Sequence, residues 1–261
     1  MPASARIGEV TVRRLLDGQR LLVLAEGRFE PVFQAYDEHV RRWELPADGL
    51  TLSLARDGLT ALALHLATRP LDETLGVTIN LHEPPLNLFL GGDARENTII
   101  ARAFTENVRT ADSSRLFVEA YRPETGPVSS SMDVAGLDVF RMFEDYYERS
   151  EQLPARVFAL GGDRYGLVRA LPDGGRERVQ SMTHAEALAL FEGPSTLLEE
   201  KTIRFRCGCT PEKILSVLRQ MFGGREAELF GGEQGVEVFC PRCGARWWVE
   251  RAAYDAADGE A

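Results

Sequence analysis

The four cysteines of this 261-residue chain are the residues whose type and spacing point most directly to chemistry. They form two close pairs, Cys207-Gly208-Cys209 and Cys240-Pro241-Arg242-Cys243. Two thiolates one or two residues apart can occupy one edge of the tetrahedron that zinc prefers, and a second pair can occupy the opposite edge. The pattern therefore predicts one Zn²⁺ ion bound by Cys207, Cys209, Cys240 and Cys243. Unconnected or oxidised cysteines are the alternative.

The sequence between the two pairs indicates how they are brought together. Thr210 can cap a helix that has Pro211 in its first turn and ends at Gly223-Gly224. A helix that starts directly after Cys209 favours a thiolate there, because its N-terminus carries a partial positive charge. Four protein ligands leave no position for a catalytic water, so the predicted zinc site is structural and the chain is not predicted to be an enzyme.

Composition and charge limit the class of protein. The chain is 44% hydrophobic and 27% charged, which is typical of a globular protein, and its net charge of -10 disfavours binding to duplex nucleic acid. Residues 201–254 alone carry nine Lys/Arg and six Asp/Glu, so a nucleic-acid role stays open for this tail only. Without a signal-like start or an apolar run of roughly 20 residues, the predicted location is cytoplasmic, with no membrane partner. In such a chain four cysteines indicate metal ligands before disulfides.

Apolar periodicity predicts an α+β fold with three parts: a mixed α/β N-terminal domain, a short helical linker and a small C-terminal four-cysteine zinc-binding domain. The predicted boundaries are 1–175 for the core, 176–201 for the linker, 202–254 for the zinc domain and 255–261 for a disordered tail. The predicted helices are 29–43, 59–68, 136–149 and 184–192. The predicted strands are 77–81, 86–90, 116–121, 156–160 and 165–171, with a turn-rich stretch between 121 and 131.

A second motif follows the predicted helix 136–149. Tyr147 is followed by Ser150-Glu151-Gln152 and then by Pro154. Together with the C-x-C and C-x-x-C pairs near the end of the chain, this motif resembles the redox-regulated chaperones of the heat shock protein 33 family. The resemblance spans roughly residues 134–250, whereas the first 130 residues are similar only in the order of helix and strands.

The resemblance implies a cytoplasmic, ATP-independent holding chaperone that binds zinc and is inactive when reduced. On oxidation, the pairs matching Cys207/Cys209 and Cys240/Cys243 would form disulfides, release zinc and unfold the linker. The exposed apolar surface would then bind unfolding client proteins, with a possible homodimer. Two features depart from the family pattern: the linker is shorter than usual, and Ile99–Phe104 stands where the family has a basic, glycine-containing segment.

The remaining candidates are interpreted as structural. The histidines have no nucleophile or acid at a recognisable spacing; they are His39, His65, His82 and His184. The adjacent Trp247 and Trp248 lie on a predicted strand and so face opposite sides, which favours packing or an interdomain contact. The alternative function is a constitutive protein- or nucleic-acid-binding module in which the zinc is purely structural.

Overall fold

A computed structural model describes residues 7–69, 73–108, 112–172 and 174–256. The chain divides into two compact parts, which we call unit 1 (Met1–Arg206) and unit 2 (Cys207–Ala261). Both contain helices and strands, and the four cysteines lie close together in unit 2. The predicted mixed fold with a C-terminal four-cysteine cluster is therefore confirmed. Within the described ranges, no helix is long and apolar enough to cross a bilayer.

The described part of unit 1 contains one ten-stranded sheet. In chain order its strands are β1 (Glu9–Asp17), β2 (Leu22–Arg28), β3 (Thr74–Leu81), β4 (Leu86–Asp93), β5 (Thr98–Phe104), β6 (Arg115–Arg122), β7 (Gly126–Asp133), β8 (Ala155–Gly161), β9 (Arg164–Ala170) and β10 (Ser195–Phe205). Their spatial order is β7-β6-β3-β4-β5-β10-β1-β2-β9-β8. Neighbours are antiparallel except β10 and β5, which pair in parallel over two residues.

Helices cover the two faces of this sheet. The main core contains apolar residues of α1 (Glu30–Arg42), α2 (Gly49–Ala67) and α3 (Val139–Tyr146). A second, smaller core contains residues of α4 (Arg176–Ser181) and α5 (His184–Glu192). Neighbouring residues of β2 belong to different cores: Leu24 packs in the second core and Ala25 in the first. Successive side chains of a strand point to opposite faces, so the two helical groups lie on opposite sides of the sheet.

The predicted helices and strands of unit 1 are present, but β1, β2, β5 and α4 were not predicted. Two further differences concern α2 and β7. The predicted helix 59–68 is the second half of α2, which begins ten residues earlier because Asp48 and Thr51 form a capping box at its N-terminus. The prediction of a turn-rich stretch after residue 121 is wrong, since β7 pairs with β6 from Gly126 to Asp133. This strand lies at the sheet edge and carries the polar run Ser129–Ser131, so it lacks the apolar alternation of a buried strand.

The segment 176–201 contributes α4, α5 and the first part of β10 to unit 1. The predicted helix 184–192 is confirmed, and Thr183 forms its capping box with Glu186. Ala187 and Phe191 are buried in the second core. Phe191 occupies the space above Gly166 of β9, where an added Cβ would lie 2.3 Å from the ring. The packing of α5 is therefore supplied by unit 1 itself.

Unit 2 is a small helix–hairpin module. Its elements are α6 (Pro211–Phe222), α7 (Glu226–Phe230), β11 (Gly235–Phe239), β12 (Arg246–Glu250) and α8 (Arg251–Ala256). The strands β11 and β12 form an antiparallel pair. The buried cluster consists of Leu218, Phe230, Val249 and Tyr254. So few buried side chains give a weak hydrophobic core, and a module of this size needs a further source of stability.

Candidate metal centre

The four cysteines lie in two short loops of unit 2, each next to a regular element. Cys207 and Cys209 precede α6, and Thr210 is the N-cap residue of that helix, with its hydroxyl accepting a backbone hydrogen bond from the first turn. Cys240 and Cys243 lie in the turn between β11 and β12. The start of one helix and the end of one strand thus set the positions of both pairs.

The four sulfur atoms converge on one point. All of them lie within 4.8 Å of one another. Cys207 Sγ is 3.8 Å from Cys240 Sγ, and Cys209 Sγ is 3.6 Å from Cys243 Sγ. A tetrahedral ion with metal–sulfur bonds of about 2.3 Å requires sulfurs about 3.8 Å apart. The spacing therefore fits one metal ion coordinated by four cysteines.

The turn that carries the second pair is tightly hydrogen-bonded. Cys240 N–H donates to Ala245 O at 2.8 Å, and Gly244 N–H donates to Cys240 O at 2.8 Å. Gly244 has φ of +77°, a conformation that favours glycine. The backbone N–H groups of Arg242 and Cys243 point at the Cys240 sulfur and stabilise its thiolate. This loop holds its sulfurs in position for a metal and partly neutralises their charge.

Without a cation, these sulfurs cannot all be thiolates. Hydrogen bonds from Cys207 and Cys243 lower the pKa of Cys240 well below its ordinary value. The hydrogen bond that the Cys207 thiol donates to Cys240 raises the pKa of Cys207 to about 12, and hydrogen bonds to Cys207 and Cys240 raise the pKa of Cys243 as well. A divalent cation removes this competition because it stabilises every ligand in the deprotonated form. The donor set therefore fits a soft divalent metal.

The two pairs differ in their access to solvent. Cys240 and Cys243 are 2% and 1% exposed, whereas Cys207 and Cys209 are only half-buried. Four protein ligands close the coordination sphere, so the arrangement is suited to holding a metal and not to activating a water. The exposed side of the site is the Cys207/Cys209 pair, which dissolved reagents meet first.

The Tyr147-to-Gln152 motif lies in unit 1, where it follows α3. Residues Tyr147–Glu151 form a single π-helical turn. Tyr147 is fully buried, and its hydroxyl is 2.7 Å from Nδ1 of the equally buried His65 in α2. Burial raises the pKa of Tyr147 to about 12. The tyrosine of the motif is therefore a packing and hydrogen-bonding residue that joins the turn to α2.

Glu151 belongs to a charged cluster beside that contact. Its carboxylate accepts hydrogen bonds from Arg69 at 2.6 Å and from the Tyr146 hydroxyl at 2.9 Å. Arg69 also pairs with the fully buried Glu73 at 2.7 Å, and Glu73 pairs with Arg122 at 2.9 Å. Burial acts to raise the pKa of Glu151, but Arg69 and Tyr146 bring it below its usual value. Two arginines balance two glutamates, which is typical of a structural network.

The other two residues of the motif connect the π-helical turn to neighbouring elements. The Ser150 hydroxyl lies 2.8 Å from the Ser130 hydroxyl of β7. Gln152 has φ of +56°, and its carbonyl accepts a hydrogen bond from Arg176 of α4. The motif therefore joins α2, α3, α4 and the β7 edge of the sheet at one place.

Sequence reasoning did not identify the partners of the motif. His65 and Arg69 lie in or directly after α2, 82 residues before Tyr147 and Glu151 respectively. A pairing at this separation leaves no local spacing signal. The two tryptophans do divide as predicted for a strand: Trp248 is 64% exposed, whereas Trp247 is half-buried.

Comparison with known proteins adds two kinds of match. The family model described as Hsp33 protein matches residues 105–250. The 33 kDa chaperonin of Ectopseudomonas mendocina is 30% identical over 239 residues, covering 77% of this chain and 78% of the relative. The 33 kDa chaperonin of Neisseria meningitidis serogroup B is 28% identical over 209 residues, covering 67% of this chain and 69% of the relative.

A solved structure has the same fold. The crystal structure of the 33 kDa chaperonin, a heat shock protein 33 homologue, from Thermotoga maritima aligns with a TM-score of 0.69. The alignment covers 96% of this chain and 97% of the other, at 15% sequence identity. The fold is therefore shared with that structure over the aligned part of the chain.

The buried His65 makes a pH-dependent contribution to the stability of unit 1. Burial and, to a smaller extent, the charge of Arg69 lower the pKa of His65 to about 3, although the carboxylates of Glu151 and Glu73 act to raise it. The unfolded chain, with a histidine pKa near 6.5, binds a proton that the folded chain does not, so stability is lost as pH falls below about 6.5. Between pH 7.5 and pH 5, we expect the titration of His65 to lower the free energy of unfolding by about 2 kcal/mol.

The measurement is urea unfolding of the full chain, followed by circular dichroism at both pH values. His65→Asn should remove this part of the pH dependence, although it also lowers stability at pH 7.5. Comparing the two proteins cancels the other titrating groups, among them Asp57, whose pKa burial raises to about 6. An identical loss of stability in wild type and His65→Asn would show that the imidazole is not the source.

Proposed function

Since this chain belongs to the Hsp33 family, we propose that it is a redox-regulated, ATP-independent holding chaperone. Its proposed sensor is a Zn²⁺ ion held by Cys207, Cys209, Cys240 and Cys243. The family predicted from the cysteine pairs and the Ser150-Glu151-Gln152 motif is confirmed, and its named relatives are chaperonins. The proposal of a metal-bound sensor rests on one observation, that all four cysteine sulfurs lie within 4.8 Å of one another.

Zinc is the proposed metal because of the donor set. Four cysteine sulfurs at tetrahedral spacing are ligands that zinc prefers, and hard cations such as magnesium and calcium prefer oxygen. A structural zinc ion contributes roughly 10 to 16 kcal/mol in small modules, and this binding free energy is also folding free energy. The small core of unit 2 makes such a contribution necessary. Zinc would hold unit 2 folded in the reduced protein.

Oxidation of the four thiolates would remove that support. Two molecules of hydrogen peroxide accept four electrons and, with four protons, become four waters, while the four thiolates become two disulfides and release Zn²⁺. The family implies the pairs Cys207–Cys209 and Cys240–Cys243. The half-buried Cys207 and Cys209 are the proposed first site of attack, because thiolate oxidation follows exposure.

We propose that the conformational change is centred on unit 2. Loss of zinc would unfold this module and expose its core residues Leu218, Phe230, Val249 and Tyr254 to unfolding clients. By contrast, α5 is capped by Thr183 and anchored by Phe191 within unit 1, which gives it a source of stability apart from the metal. The switch therefore would not require this helix to melt. Residues 176–201 would then act as a folded connection between the chaperone core and the zinc unit.

The partners follow from this function. Unfolding or aggregation-prone proteins are the proposed clients, a homodimer is proposed for the oxidised form, and the proposed location is the cytoplasm. The alternative is a constitutive binding module with a purely structural metal. The exposed Trp248 and the excess of basic residues in 201–254 favour that alternative. Under it, partner binding would not change on oxidation.

The proposed zinc site is tested by measuring the number of zinc ions per chain. Reduced protein should contain close to one zinc per chain, measured by elemental analysis after gel filtration. Cys240→Ser should lose most of this zinc and the ordered structure of unit 2, because the buried Cys240 is central to the sulfur cluster. Met221→Ser changes an exposed side chain of α6 and is the control that keeps its zinc. Full zinc content in Cys240→Ser would reject the proposed site.

Activity is tested by light scattering from a thermally unfolding test protein without ATP. Peroxide-oxidised, zinc-free chain should suppress aggregation, and the same chain kept reduced with zinc should not. Re-reduction in the presence of zinc should abolish the effect, which separates a switch from irreversible damage. Negligible protection by both forms would contradict the chaperone role, and equal protection by both would favour the constitutive alternative.

A further inference from the structure

One face of the β11–β12 hairpin in unit 2 presents an exposed aromatic ring between two carboxylates. The cross-strand pairs on this face are Gly235–Glu250, Glu237–Trp248 and Phe239–Arg246. The opposite face carries Val236 and Val249, which pack with the core of unit 2. The first face, which we call the Trp248 face, is therefore the solvent side of the hairpin.

Trp248 lies flat on this surface. An added Cβ on Gly235 would be 2.5, 2.6 and 2.8 Å from Cζ2, Cε2 and Nε1 of the indole. Three ring atoms at nearly equal distance mean that the ring covers Gly235 with one of its faces. Gly235 is buried for this reason, whereas Trp248 remains 64% exposed. The other face of the indole is thus open to solvent, and the glycine makes this orientation possible.

Two carboxylate residues neighbour Trp248 on this face. Glu237 is directly opposite Trp248, at a separation of about 4.5 to 5.5 Å between Cβ atoms, and Glu250 is two residues further along the same strand. Both side chains are exposed, and neither forms an ion pair with any residue that the structure describes. An indole face with adjacent carboxylates attracts a cation by two additive interactions.

The same hairpin face already contains one such interaction. The Arg246 guanidinium lies 5.6 Å from the ring centre of Phe239. Other aromatic rings of the chain are covered in the same way, such as Phe222 by Arg225 and Phe230 by Arg251. Among the described residues, no arginine or lysine covers Trp248. Trp248 therefore has the surroundings of a cation site without a cation from its own chain.

We propose that the Trp248 face binds an arginine or lysine side chain of another polypeptide. The charged group would lie over the open indole face, with Glu237 and Glu250 as its counter-ions. Charge complementarity selects this partner, because two carboxylates repel a nucleic-acid backbone despite the net positive charge of residues 201–254. The site requires the folded hairpin, so it belongs to the reduced, metal-bound form and is separate from the proposed chaperone activity of the oxidised form.

The probe is a fluorescein-labelled nonapeptide in which three arginines alternate with serines and glycines, titrated with the reduced, zinc-loaded full chain. Fluorescence anisotropy measures the affinity. A shift of the Trp248 indole N–H signal in an NMR spectrum shows whether the peptide binds at Trp248. A peptide with citrulline in place of arginine keeps the shape and removes the charge. We expect the arginine peptide to bind at least about fivefold more tightly than the citrulline peptide, and binding to weaken as salt rises.

Two variants locate the site. Trp248→Leu and Glu237→Gln should each weaken binding of the arginine peptide at least about threefold, while Glu119→Gln in unit 1 removes the same charge and should leave binding unchanged. The zinc content of each variant confirms that unit 2 is folded. Equal binding of the arginine and citrulline peptides would overturn the proposal. It would also be overturned by unchanged affinity in Trp248→Leu, or by binding of a single-stranded oligonucleotide that depends on Trp248.

Discussion

The close approach of four cysteine sulfurs is the constraint on which unit 2 depends. Helix α6 and the β11–β12 turn are brought together at this point, and the apolar cluster in the described part of unit 2 has four buried residues with partly buried ones packed against them. Four thiolates at this distance repel one another without a cation, and the proposed metal would replace this repulsion with four metal–sulfur bonds. The same chemistry would make the module sensitive to oxidants, because the thiolate is the form of cysteine that both binds a metal and is oxidised.

Unit 1 is stabilised differently. Its sheet is covered on both faces by helices, and the Tyr147-to-Gln152 turn joins several of them through a buried hydrogen bond and a charged network around Arg69. No described group in this network depends on the redox state of sulfur, since all four cysteines lie in unit 2. Unit 1 can thus stay folded under conditions in which unit 2, if it depends on the proposed metal, unfolds. The proposed function, a holding chaperone with its own redox sensor, requires this division of stability.

The sequence was most informative where chemistry is local. The two cysteine pairs, the helix start at Thr210-Pro211 and the helix 184–192 are each specified within a few residues, and both helices lie at their predicted positions. Prediction failed where stability comes from distant partners. The polar edge strand β7 is held by pairing with β6, and no apolar alternation marks it.

The segment before the cysteines shows the same limit. From its sequence alone, this segment was predicted to be a linker with one short helix, 184–192. In the structure, β10 pairs with β1 along its whole length, and Phe191 fills the space over Gly166. Neither partner can be inferred from the segment itself, because both lie in other parts of the chain. The same holds for His65 and Tyr147, whose contact joins residues 82 positions apart.

We propose that the redox switch of this chain is the metal-dependent folding of unit 2. Hydrogen exchange of the full chain, sampled during peroxide treatment together with zinc release, thiol content and suppression of aggregation, tests it most directly. We expect α6, β11 and β12 to lose protection in step with zinc release and gain of activity, while residues 184–192 keep theirs. Activity that appears while unit 2 retains its protection, or that follows the loss of protection in 184–192, would contradict it.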